Sequence, residues 1–159
     1  MKKLAFLLAL ATAFSAFAVG CGSKPAANSN LTGSLEEIMT KVYEGVDVEI
    51  MVQTSEITEE DSDYHLRMPR SDYEEALISQ SAIGSQAHSV VLVRTKPDTD
   101  MEAFKKALLK NADLPQKWIC VEAEKVLVDN VGDVAILIMT YEDFADKLMD
   151  NFKALADAK

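Results

Sequence analysis

Four side chains of this 159-residue chain are the strongest candidates for nucleophilic or metal chemistry: Cys21, Cys120, His65 and His88. A metal site usually places its histidines or cysteines close together, as in His-x-x-x-His or Cys-x-x-Cys, and neither spacing occurs here. His65 falls in or near a polar stretch and His88 directly precedes an apolar one, which favours exposed or sheet-edge positions for both. The sequence therefore predicts no metal ligand and no cofactor.

Cys120 lies between Ile119 and Val121, two residues after Trp118, the single tryptophan of the chain. It could be a nucleophile, half of a disulfide or a small core residue. A strand over 118–129 would place the Trp118 and Cys120 side chains on one face. Unpaired cysteines are commonly buried as small hydrophobic groups. We therefore expect Cys120 to pack in the core beside Trp118, with a catalytic thiol as the alternative.

The chain carries no sequence signature of catalysis. G-x-S-x-G, a Walker loop and G-x-G-x-x-G are all absent. The acidic residues between Glu56 and Asp63 lack the spacing of an EF-hand loop, so they indicate a solvated loop. We expect no catalytic residue. The alternative is a small hydrolase that uses a pair among the 26 acidic residues, or Cys120 with His88.

The N-terminus has the layout of a secretory signal. Lys2 and Lys3 precede an uncharged apolar stretch over 4–19, and the small residues Ala18 and Gly20 stand just before Cys21. The sequence "AVGC" resembles the bacterial lipobox, although that motif usually has Leu where Ala18 stands. The resemblance implies cleavage between Gly20 and Cys21 and a diacylglyceryl group on Cys21. Two acyl chains are enough for stable attachment to a membrane.

The remaining chain divides into a short tether and one domain. The signal peptide is 1–20, the lipidated cysteine and a flexible Gly/Ser/Pro/Asn-rich tether are 21–33, and a single α+β domain is 34–159. Without Lys2 and Lys3, 14 of the 16 basic residues face 26 acidic ones, a net charge of −12. So acidic a chain argues against nucleic acid as a partner, because phosphates require basic patches.

Hydrophobic periodicity predicts the elements that must position any site. Ser34 and Glu37 have the spacing of a capping box, as do Thr99 and Glu102, and both pairs precede amphipathic runs. The residues over 71–82 fit either a helix or a strand. The predicted elements are helix 34–44, a short strand or extended segment 46–52, a polar loop with a short helical turn near Thr58, strand 89–95, helix 99–112, strand 118–129, turn 130–133, strand 134–140 and helix 141–156. This order indicates an α+β fold with an antiparallel or mixed sheet of about four strands and helices on one face.

The runs "SVVLVRTKPDTDMEAFKKALLKN" and "QKWICVEAEKVLVDNVGDVAILIMTYEDFADKLMDNF", following a lipobox, are similar to a family of bacterial lipoproteins, the domain-of-unknown-function family 4358. The resemblance covers roughly 34–155 and is strongest from His88 onward. It implies an extended segment over 72–81. It carries no functional residue with it.

These observations predict a membrane-anchored extracytoplasmic lipoprotein that faces outward from the cell membrane. We expect a non-catalytic binding or accessory module whose partner is a protein, a peptide or a small molecule. A small extracytoplasmic hydrolase is the alternative, and a nucleophile, base and orienting residue brought together in a cleft would distinguish it.

Overall fold

The computed structural model describes residues 30–112 and 118–157; the predicted signal peptide and Cys21 lie outside the described residues. The elements in chain order are α1 (Leu35–Val42), β1 (Val52–Glu56), α2 (Ser62–Leu66), a 3-10 turn (Arg70–Asp72), β2 (Tyr73–Ser81), β3 (Ser89–Thr95), α3 (Met101–Ala112), β4 (Lys125–Val131), β5 (Val134–Thr140) and α4 (Glu142–Ala154). The α+β class is confirmed.

The five strands form one open sheet in the order β1-β2-β3-β5-β4, and every neighbouring pair is antiparallel. β3 and β5 occupy the middle and are buried along almost their whole length. β1 and β4 are the two edges. The sheet therefore has one strand more than the sequence predicted, because the segment 71–82, which fitted either a helix or a strand, contains β2.

Helices cover both faces of the sheet, so the prediction of helices on one face is wrong. α1 and α4 pack on the face that carries Leu77, Leu92 and Ile136, whereas α2 and α3 pack on the face that carries Ile78 and Val91. The reason lies in β3 and β5, whose apolar residues do not alternate with polar ones. Successive side chains of a strand point to opposite faces, so a continuous apolar run must be covered on both sides.

Several predictions from short sequence patterns are confirmed. Ser34 accepts a hydrogen bond from the Glu37 N–H, and the Glu37 carboxylate accepts one from the Ser34 N–H, so the capping box of α1 is confirmed. Gly132 has a φ of +57°, which suits the two-residue turn joining β4 to β5. Within the ambiguous segment 71–82, Tyr73–Ser81 form the strand β2, which pairs along one edge with β1 and along the other with β3.

The predicted starts of β1 and α3 are wrong. The extended segment 46–52 is irregular, and β1 begins only at Val52 and continues to Glu56 through residues predicted to be a loop. Its residues are polar because both sides of this edge strand face solvent. At α3, the Asp100 carboxylate, and not Thr99, accepts a hydrogen bond from the Ala103 N–H, while Thr99 donates to the carbonyl of Lys96.

The predicted strand 118–129 begins only at Lys125, and Cys120 is exposed rather than buried. The Ile119 N–H donates to the carbonyl of Gly84 in the β2–β3 loop, 2.7 Å away, instead of joining the sheet. Cys120 then adopts a φ of +62°, a left-handed conformation that ends any extended run. Trp118 does pack against the core of the α3 face. The expectation that Cys120 lies beside it in the core is wrong.

The end of the predicted tether contacts the domain. The Leu31 N–H donates to the Asp133 carboxylate, and Arg94 donates to the carbonyl oxygens of Leu31 and Gly33, each at 2.8 Å. Leu31 also packs against the core on the α1 side. Leu31 and Gly33, in the predicted tether, are therefore bonded to the domain.

Candidate functional site

An open groove lies between α1 and the edge strand β1, with a volume of about 510 Å³. Pockets for small ligands commonly have volumes of roughly 300–1,000 Å³. The wall of the groove is formed by Glu36 and Thr40 of α1 and by Tyr43, which directly follows this helix, and its floor includes Thr54 and Glu56 of β1. The groove exists because α1 packs over β2 and β3 and leaves the same face of β1 uncovered.

Helical and strand periodicity place these side chains in the groove. Glu36, Thr40 and Tyr43 recur at i, i+4 and i+7, so they lie along one side of α1 while its apolar stripe faces the core. Thr54 and Glu56 alternate along β1 and share a face. Their partners on β2 are Ser79 and Leu77, which are also part of the floor.

The lining of the groove is polar and negatively charged. Glu36 and Glu56 are carboxylates, and among the residues that the structure describes no lysine or arginine lines the groove. Hydrogen bonds from its own backbone N–H and from Ser34 lower the pKa of Glu36, so this side chain is anionic at neutral pH. Met39 and Val52 add an apolar portion. The groove is therefore suited to a ligand that combines cationic or hydrogen-bond-donating groups with an apolar group.

A buried chain of hydrogen bonds supports the inner end of the groove. The Tyr43 hydroxyl lies 2.7 Å from Nε2 of His88, and Nδ1 of His88 lies 2.7 Å from the hydroxyl of Thr140. His88 and Thr140 are both 0% exposed. Tyr43 thus connects the groove to the middle of the molecule, and His88 fixes the position of its ring.

Burial keeps this chain neutral. It raises the pKa of Tyr43 to about 12, an effect that the nearby Ser79 hydroxyl partly offsets, and it lowers the pKa of His88 to about 4. The Ser79 hydroxyl approaches Tyr43 without completing a hydrogen bond of good geometry to any described residue. A neutral imidazole has one donor and one acceptor. If Tyr43 donates to Nε2, Nδ1 carries the proton and donates to Thr140; the opposite tautomer reverses both bonds.

The positions of the two histidines differ from the prediction. His88, expected at an exposed or edge position, is fully buried, because its two neutral ring nitrogens both find hydroxyl partners. Both ring nitrogens of His88 are thus bonded to hydroxyl groups, and Cys120 is exposed; the alternative of a hydrolase that uses Cys120 with His88 stays a prediction. His65 is half-buried, with its ring edge-on to that of Tyr64.

The acidic residues predicted to form a loop are dispersed. Glu56 ends β1 and borders the groove, whereas Glu59 and Glu60 are exposed in the following turn. Within residues 30–112 and 118–157, no three His, Cys, Asp or Glu side chains are arranged to hold a metal ion. Over the same residues, no helix is long and apolar enough to cross a bilayer.

Sequence reasoning missed Tyr43 and Ser79, which both border the groove. Tyr43 fits the apolar stripe of a helix, and nothing in its spacing distinguishes a groove residue from a core residue. A weak signal was present in the strands, because Ser79, Ser89 and Thr140 interrupt or end otherwise apolar runs. All three are buried at the end of the sheet that His88 occupies.

Comparison with known proteins identifies no relative of this chain. No family model matches the chain, and neither a curated protein nor a solved structure matches it. The resemblance to family 4358 therefore stays a prediction. What is established is a class of fold, a five-stranded antiparallel sheet between two layers of helices, with an acidic groove beside an exposed edge strand.

Proposed function

We propose that this protein is a lipid-anchored extracytoplasmic binding module that holds its ligand in the groove between α1 and β1. The groove is the observation that carries the proposal. It is large enough for a small molecule or several residues of a peptide, and its lining offers carboxylates, hydroxyls and a short apolar portion. The Tyr43–His88–Thr140 chain gives it a rigid inner end, which reduces the ordering cost of binding.

The side chains of the groove support binding rather than covalent chemistry. The raised pKa of Tyr43 makes its phenolate scarce at neutral pH, and His88 is enclosed with both nitrogens bonded. A nucleophilic mechanism would need an activated nucleophile beside an available base. The remaining lining residues supply hydrogen bonds and negative charge, which are the means of recognition.

The lipobox supports attachment through Cys21, and the contacts of Leu31 define how far the domain can lie from the membrane. Arg94 and Asp133 hold Leu31 against the sheet. The chain between Cys21 and Asn30 can extend over at most about 30 Å. The proposed anchor would thus keep the groove close to the outer surface of the membrane, where the expected ligand is a membrane-associated or diffusing extracytoplasmic molecule.

The anchor is tested by changing Cys21 to Ala in the full chain. Metabolic labelling with a fatty-acid probe is expected to be lost and the uncleaved precursor to accumulate, because no thiol remains at the lipidation site. Cys120→Ala is the matched control, since it removes the other thiol and should leave labelling unchanged. Labelling of the Cys21→Ala variant, or none of the wild type, would contradict the anchor.

The groove is tested by photo-crosslinking from within it. A benzoylphenylalanine replacing Thr40, which is exposed on the groove side of α1, is expected to capture a discrete adduct in the producing cells. The same residue replacing Lys106, exposed on α3 on the opposite face of the sheet, is the control. Intact-mass analysis should show the adduct only at position 40. Equal adducts at both positions, or none at either, would reject the groove as the binding site.

A further inference from the structure

We propose that the ligand is an extended basic peptide that adds to the sheet as a sixth strand, antiparallel to β1. This inference rests on the proposed function and specifies the class of ligand that the groove takes. Three independent features of β1 lead to it: the direction of its free backbone groups, the weak protection of this edge, and the charge of the groove beside it.

The hydrogen-bonding register leaves one side of β1 open. The Ile57 N–H donates to the carbonyl of Ala76, and the Ala82 N–H donates to the carbonyl of Met51, so the odd-numbered residues of this segment face β2. In an antiparallel pair, alternate residues turn their N–H and C=O groups to opposite sides. The backbone groups of Val52, Thr54 and Glu56 therefore point to the open edge, where the described residues offer them no partner.

The same three residues direct their side chains into the groove. Val52, Thr54 and Glu56 all line it. A peptide that pairs with them would place alternate side chains on this face, with Cβ atoms about 5 Å from those of its partners. Backbone pairing and side-chain recognition thus coincide at the same residues, which is the arrangement used when an extended peptide binds a sheet edge.

β1 has little protection against pairing at its edge, since its one charged residue, Glu56, stands at its end. Exposed edge strands are commonly blocked by lysine, proline, a bulge or great shortness. β1 has the sequence VQTSE, pairs with β2 without an irregularity, and is five residues long. A weakly protected edge of this kind invites a partner strand.

The charges of the groove select the side chains of that strand. Glu36 and Glu56 lie at one end and Val52 at the other, and within residues 30–112 and 118–157 no lysine or arginine lines the groove. An antiparallel strand would place residue i opposite Glu56, residue i+2 opposite Thr54 and residue i+4 opposite Val52. Charge complementarity therefore requires Lys or Arg at i, a small polar residue at i+2 and an aliphatic residue at i+4.

The test uses the capped heptapeptide Thr-Lys-Thr-Thr-Thr-Val-Thr, which carries this pattern, and the full-length protein in detergent. The reversed sequence Thr-Val-Thr-Thr-Thr-Lys-Thr is the matched control, because it has the same composition and net charge. Isothermal titration should show at least tenfold weaker binding of the reversed peptide. Equal binding of the two would overturn the proposed register.

Amide hydrogen exchange tests strand addition directly. On binding the peptide, the N–H groups of Val52, Thr54 and Glu56 should gain at least tenfold protection, since they acquire carbonyl partners. Gln53 and Ser55 already pair with β2 and should change less. Binding without protection at the three outward N–H groups would overturn strand addition. Protection that appears in the protein alone and rises with its concentration would show a second copy as the occupant, and would equally overturn it.

A substitution that removes one backbone N–H group is the last test of strand addition. Thr54→Pro removes an N–H that faces the open edge and leaves the bonds between β1 and β2 in place, so folding should be retained. This variant is expected to bind the basic heptapeptide at least tenfold more weakly than the wild type does. If that variant does not fold, a heptapeptide N-methylated at its central Thr tests the same bond. Binding that is not weakened, by Thr54→Pro or in its place by the N-methylated peptide, would overturn the proposal. If no heptapeptide binds while the crosslink at position 40 persists, this inference fails and the proposed function stands.

Discussion

Replacing Arg94 with methionine is expected to lower the free energy of unfolding by about 3 kcal/mol, because this side chain joins β3 to three other parts of the structure. Its guanidinium bonds Glu75 of β2 at 2.7 Å and Asp133 of the β4–β5 turn at 3.0 Å, and it donates to the carbonyl oxygens of Leu31 and Gly33. Burial opposes its charge, but the two carboxylates outweigh that effect and raise the pKa of Arg94. Methionine leaves Asp133 without this partner and releases the segment before α1.

Urea unfolding measures this change, and hydrogen exchange of the Leu31 amide should accelerate with it. Lys153→Met is the control, since it also removes a cation paired with a carboxylate, Asp129. The Lys153 side chain is 54% exposed, so Lys153→Met should lower the free energy of unfolding by less than about 1 kcal/mol. Arg94→Lys should fall between wild type and Arg94→Met, because an ammonium keeps the charge without the planar arrangement of donors. Equal effects of Arg94→Met and Lys153→Met would contradict this role.

Lowering the pH from 6.5 to 4 is expected to reduce the free energy of unfolding by up to about 3 kcal/mol through His88 alone. Burial lowers the pKa of His88 to about 4 in the folded protein, whereas the unfolded chain has the ordinary value of 6.5. Between these values the unfolded chain binds the proton and the folded protein does not. Stability is therefore independent of this group above pH 6.5 and falls progressively as the pH approaches 4.

His88→Gln should remove this slope, whatever it does to stability at neutral pH. Asp129 provides an internal comparison: contacts with Lys153, Asn130 and Lys105 outweigh its burial and lower its pKa below 3.8, so its contribution is lost only at more acidic pH. Urea unfolding at intervals between pH 4 and 7 separates the two effects. An unchanged slope between pH 6.5 and 4 in the His88→Gln variant would contradict the assignment to His88.

The elements that were predicted well are those whose signals act within a few residues. The capping box of Ser34 and Glu37 depends on bonds inside one helical turn, and Gly132 meets a requirement of its own turn. The apolar runs 89–95 and 134–140 are strands at those bounds. The stripe of α4 contains Leu148 and Phe152, both buried. In each case local geometry and burial favour the same conformation.

The elements that were missed depend on partners distant in the chain. β1 has a polar sequence, and its strand conformation comes from pairing with β2. The segment around Ile119 has the sequence of a strand, yet its backbone bonds Gly84 and its cysteine turns outward. Neither outcome could be read from hydrophobic periodicity, because periodicity reports which face is buried and not which strand lies alongside.

The amino-acid sequence alone determined the α+β class, most helices and strands, the acidic charge and the lipobox on which the proposed anchor rests. Only the tertiary structure decided the candidate site. The groove arises where α1 stops short of β1, and the burial of His88 follows from the meeting of α1, β3 and β5 at Tyr43 and Thr140. Such features are gaps and contacts between elements far apart in the chain, so packing creates them and no local pattern encodes them.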